Sequence, residues 1–177
     1  MKTKAIALAV ALAMGFAVTG TQAADAARED ATLSNATVSL NDAINKAEKE
    51  GGGQAVAADY TAKKGTMGYY DVKVLSSDGA KLTEYRVSTA TGKVTKASNE
   101  PFEKMFTRIK PDQLASAPTS LKGAIKTAEA QSGGKAVDAD ADRNGDTVRY
   151  VVKVAKADGS TEKVKVNGAD GKVASAQ

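Results

Sequence analysis

SLNDAINKAEKEGGGQAV, residues 39–56, returns as SLKGAIKTAEAQSGGKAV at residues 120–137. The offset is 81 here. It becomes 80 where Val72-Lys73-Val74 and Asp78-Gly79 answer Val152-Lys153-Val154 and Asp158-Gly159, and 79 where Gly92-Lys93-Val94 answers Gly171-Lys172-Val173. Each slip falls between periodic segments, where a one-residue change in loop length is tolerated. Self-similarity at a fixed period is the mark of a duplicated architecture.

Within the first copy, Ser39 is a good helix N-cap and Asp42 completes a shortened capping box. Leu40, Ala43, Ile44 and Ala47 then share one helical face, and Gly51-Gly52-Gly53 stops the helix. After the glycines the period changes to two. Ala55 to Tyr60 is a short strand, Tyr70, Val72 and Val74 alternate with Asp71 and Lys73, and Ser77-Asp78-Gly79 turns the chain into a strand with Tyr85 and Val87 inward. Val94 opens a last short strand. Leu121, Ala124, Ile125, Ala128, Gly133, Tyr150, Val152, Val154, Val164, Val166 and Val173 repeat the scheme. The expected fold is α+β: two repeated units, each one helix packed on a small antiparallel sheet of three to four strands.

Residues 1–23 have the basic start, apolar run and small-residue end of a cleavable signal peptide. Thr21-Gln22-Ala23 precedes the cut, with Ala24-Asp25-Ala26 a second candidate. Residues 24–38 read as a flexible lead-in, 39–98 as the first repeat, 99–118 as a connector and 119–177 as the second repeat. In the connector Phe102, Met105, Phe106 and Ile109 fall at helical spacing between Pro101 and Pro111. No later stretch approaches the ~20 apolar residues of a membrane span, so a periplasmic or secreted protein without membrane insertion is expected. Removing Lys2 and Lys4 takes the net charge from +4 to +2. With the charges interspersed, nothing points to nucleic acid.

The chain has neither cysteine nor histidine. That excludes disulfides, zinc or iron–sulfur centres built on those residues, and nucleophiles served by a histidine base. No credible nucleophile remains among carboxylates, lysines, tyrosines and serines, so a non-enzymatic role is expected.

The ordered set Ala43, Ala47, Gly53, Tyr70, Val72, Val74, Asp78, Gly79, Val87, Gly92, Lys93 and Val94 resembles a PepSY domain. The set recurs as Ala124, Ala128, Gly134, Tyr150, Val152, Val154, Asp158, Gly159, Val166, Gly171, Lys172 and Val173. Together the copies cover most of residues 39–98 and 119–177. The resemblance implies a module that accompanies or restrains peptidases, or senses near the cell envelope. Partners would be a peptide, a peptidase or an envelope protein, bound by a monomer or a dimer.

Two groups stand apart from the repeated scaffold. Tyr60, Tyr69 and Tyr85, with Phe102 and Phe106 of the connector, are either packing residues or an amphipathic surface for a partner; an exposed strand edge could add an extended peptide. Asp140, Asp142, Asn144 and Asp146 resemble the first half of a calcium loop, although Val151 stands where the bidentate glutamate belongs. The same run also reads as a hairpin, Asn144-Gly145 being a type I′ turn signal and the aspartates keeping an edge strand soluble. Three functions stay open: peptide or protein binding with peptidase modulation, a calcium- or cation-responsive periplasmic protein without any other cofactor, and a structural module without a dedicated ligand.

Overall fold

The computed structural model describes residues 33, 35–63, 66–101, 109 and 111–176. The expected signal peptide, most of the expected lead-in, and Phe102, Met105 and Phe106 of the connector lie outside them.

Helix α1 (Leu40–Gly51) begins with the expected capping box: Asp42 N donates to Ser39 Oγ and Ser39 N donates to the Asp42 carboxylate. It ends on Gly52 in the left-handed region, φ +63°. Leu40, Ala43, Ile44 and Ala47 are its buried face. Strands β1 (Gly53–Lys63), β2 (Thr66–Ser76), β3 (Lys81–Ser88) and β4 (Val94–Pro101) follow. A short helix α2 (Pro111–Ser116) leads to α3 (Leu121–Ser132), which is capped by Ser120 and stopped at Gly133, φ +69°. Strands β5 (Lys135–Asn144), β6 (Thr147–Ala155), β7 (Thr161–Asn167) and β8 (Val173–Ala176) complete the described chain.

The expectation of two small helix-on-sheet units is overturned. The strands form one continuous eight-stranded antiparallel sheet in the order β4-β3-β2-β1-β5-β6-β7-β8, and the described residues are mostly β with three short helices. The joining element is the β1–β5 pair, with Ala57 opposite Asp140, Ala58 opposite Ala139 and Asp59 opposite Asp138. Ala58 therefore pairs with its own counterpart 81 positions on, and the sheet has a local twofold at that point. Both central strands carry a bulge at the matching place, between Ala55 and Ala57 and between Ala136 and Asp138. β5 is thus an interior strand, and its aspartates do not guard an edge.

Both longer helices lie on one face of this sheet. α1 packs on β1, β2 and β3, and α3 on β5, β6 and β7. Lys122 of α3 ties the helices together, its Nζ 2.7 Å from Glu48 Oε2 and 2.9 Å from Asn45 Oδ1. Beneath them Tyr70, Val72, Val74, Val87, Tyr150, Val152, Val154, Val164 and Val166 form one core with both helix faces. Leu33 and Leu114, also 81 apart, are buried in the same core. Ala36 N donates to Leu33 O just as Ala117 N donates to Leu114 O, so the structural correspondence begins upstream of Ser39.

Candidate functional site

Because side chains alternate across a strand, one set of residues faces the helices and the other faces outward. Outward from the two central strands point Ala57 and Asp59 on β1 and Asp138, Asp140 and Asp142 on β5. They are joined by Asp71 and Lys73 on β2, Glu84 and Arg86 on β3, Arg149, Val151 and Lys153 on β6, and Lys163 and Lys165 on β7. No described helix packs on this face. It is a mostly charged surface on the side of the sheet away from α1 and α3, with Leu75 and Leu82 buried on the same face toward one end.

Its centre is crowded with negative charge. Asp59 stands between Asp71 and Asp138 in register, and Asp140 follows Asp138 on the same side of β5. Loss of water, then Asp71, Asp138 and Glu84, push the Asp59 carboxyl up to about 6, against the pull of Lys73. Asp140 is likewise pushed up to about 6 by loss of water first and then by Asp138 and Asp59, with Lys73 again opposing. Although Asp140 retains an exposed surface, protein crowding at its carboxylate explains that direction. Directly opposed like charges weaken a sheet, so this cluster costs stability when ionised.

The sign of the pH effect follows. A carboxyl with a raised folded value holds its proton more tightly in the native state than in the unfolded chain between roughly pH 4 and 6. Stability therefore falls as pH rises through that window and levels off above it. Asp59→Asn is expected to gain about 1–2 kcal/mol at pH 7.5, a figure discounted for the solvent Asp59 keeps, and to gain nothing at pH 4. Denaturant unfolding across the pH range measures it, and a pH-independent difference would refute the argument.

Around this centre several charges are matched. Arg86 donates through Nε and Nη2 to Asp71 at 2.9 and 3.2 Å, and its guanidinium lies 3.9 Å over the Tyr69 ring. Arg149 holds Asp142 at 2.5 Å. Lys73 lies opposite Glu84.

The residues singled out from sequence separate into different environments. Tyr60 and Tyr85 are buried in the core, where Tyr60 stacks obliquely on Tyr70 at 5.6 Å. Tyr69 is half-buried on the outer face under Arg86. Phe102 and Phe106 lie outside the described residues. Asp140 and Asp142 are on the outer face of β5, while Asn144 ends the strand and Asp146 sits in the turn. That turn has Gly145 at its first central position with φ +62° and Asp146 at a negative φ, the signs of type II′ where Asn-Gly suggests I′. The run is extended, so successive aspartates are spaced along a strand instead of wrapping a point. Among the described residues no group of three or more acidic side chains is placed to hold a metal ion.

A cleft of about 480 Å³ opens at the end of α1, lined by Glu48, Gln54, Leu75, Asp78, Pro111 and Asp112. Glu48 is already engaged there, accepting from Ala55 N at 3.0 Å and pairing with Lys122. Sequence reading passed over Asp59, Asp71 and Asp138 as a group, because they meet only when β1 and β5 are paired.

No family model matches the chain, and no curated protein is similar to it. Among solved structures it resembles one described as a "putative lipoprotein" from Clostridium difficile 630, at 15% identity and a TM-score of 0.45, over 80% of this chain and 93% of that one. That likeness is too slight to carry function, and the PepSY resemblance rests on the residues quoted for it. Among the described residues no helix is long and apolar enough to cross a membrane.

Proposed function

We propose that this chain is an exported, non-enzymatic binding protein that takes a peptide or protein segment on the open face of its sheet, in the manner of a PepSY-like modulator of a peptidase or envelope partner. The observation that carries the proposal is the arrangement of the described residues: their two longer helices occupy one face of the sheet, and the opposite face presents segregated charges on a hydrogen-bonded platform. A hydrogen-bonded platform of this kind lowers the ordering cost of binding an extended segment. The leader in residues 1–23 is the support for export.

Panning a random peptide library on the chain from residue 24 onward tests the reading. Recovered peptides should compete with one another and lose binding when outward-facing charges are reversed. A library that yields no saturable binder, together with an unchanged rate for a broad-specificity metallopeptidase, would leave the structural-module reading standing. The calcium-responsive alternative rests on the sequence run Asp140, Asp142, Asn144 and Asp146 alone. A melting temperature unmoved by millimolar calcium would remove it.

A further inference from the structure

The register supplies an internal control on the outer face. On the β2–β3 side, Lys73 lies opposite Glu84 and Asp71 opposite Arg86. The matching rungs on the β6–β7 side are Lys153 opposite Lys163 and Val151 opposite Lys165. The scaffold positions are the same, but every charge is compensated on one side and the other carries three lysines around a valine. Lys153 has Asp138 across from it on β5, whereas among the described residues the register partners of Lys163 and Lys165 are Lys153, Val151 and, on β8, Ser175, none of them a carboxylate. Among the described residues none of the three lysines makes an ion pair. Two like charges placed directly opposite weaken a strand pair, and an opposite pair at the same rung strengthens it.

We infer that the Val151, Lys153, Lys163 and Lys165 patch is a docking surface for an acidic extended peptide, one whose alternate side chains bring carboxylates to the lysines and an apolar group to Val151. This rests on the peptide-binding reading and names the chemistry of its ligand. Charge complementarity argues for the occupant, and the neighbouring residues limit its width. Asp138, Asp140 and Asp142 on β5 flank the lysines with negative charge, which repels a broad anionic plane and favours a narrow strip of negative charge lying along β6 and β7. The alternation of a strand matches that of an extended ligand, and the lysine stems allow their ammonium groups to follow it.

The test is titration of a labelled peptide alternating glutamate and valine into the wild-type chain and into a Lys163→Glu, Lys165→Glu double variant, with a lysine–valine peptide as control. The expected result is saturable binding of the acidic peptide, weakened as salt rises, reduced at least about tenfold in the double variant, and absent for the basic peptide. Lys163→Glu alone recreates the Lys73–Glu84 rung, so it is expected to weaken binding while leaving the melting temperature equal or higher. A purely structural role for Lys163 predicts the reverse. Equal affinity in wild type and double variant overturns the inference. So does tighter binding of polyphosphate or anionic vesicles than of the peptide, or a concentration-dependent dimer in sedimentation that the same variant abolishes. If library peptides still bind the double variant, the peptide-binding reading survives and only the lysine patch falls.

Discussion

Gly53→Ala is expected to destabilise the fold by about 3 kcal/mol, while Gly52→Ala, one residue earlier, costs about 1 kcal/mol. Gly52 caps α1 in the left-handed region with nothing within 4 Å of the position its Cβ would take, so its cost is that of the backbone conformation alone. At Gly53 a Cβ would lie 1.9 Å from Leu75 O and 2.8 Å from Leu75 C, atoms of the neighbouring strand. Backbone cannot rotate aside as a side chain can, so β1 and β2 must separate at the point where the helix hands over to the sheet. Gly134, its counterpart before β5, meets Ala155 O at 2.2 Å and should behave alike. Chemical unfolding of the three variants checks the order; a Gly53→Ala cost no larger than that of Gly52→Ala would contradict the close packing of β1 on β2.

The second large effect concerns the join at the centre of the sheet. A double replacement, Ala58→Cys with Ala139→Cys, is expected to oxidise to a crosslink and to raise stability by about 3–4 kcal/mol, since the bridge closes a loop of roughly 80 residues. Directly opposed residues of an antiparallel pair sit at a Cα separation compatible with a disulfide, and both positions are almost fully buried, where cysteine behaves as a small apolar side chain. The native chain has no cysteine, so no other pairing competes. Non-reducing electrophoresis and unfolding with and without reductant read the outcome. Free thiols after oxidation would contradict the pairing of Ala58 with Ala139.

Much of the local structure was written plainly in the chain. The caps at Ser39 and Ser120, the glycine stops, the helix faces and the Asp78-Gly79 and Asp158-Gly159 turns all depend on neighbours within a few residues. What stayed hidden was the junction. β1 and β5 are rich in alanine at Ala55, Ala57, Ala58, Ala136, Ala139 and Ala141, a residue with weak strand preference, and their pairing joins positions 81 apart that leave no local trace. Missing that junction split one sheet into two, misplaced β5 at an edge, and kept Asp59 and Asp138 from being seen together. The tyrosines were open to two readings for a different reason, because an amphipathic ring suits a surface as well as a core. Burial of Tyr60 and Tyr85 is decided by the helix layer above them.

The twofold at Ala58 and Ala139 also bears on how the chain reaches its native state. Every strand junction except β1–β5 joins sequence neighbours, so the hairpins form from contacts of short range and form fast. The central pairing must close a loop of roughly 80 residues and is expected to come last. Until it does, two edges of nearly the same shape wait on the same chain, each able to pair with an edge from another molecule as well as with its own. Renaturation is then a race between intramolecular closure and capture by a second chain, with dilution favouring the monomer and crowding favouring exchanged, strand-linked assemblies.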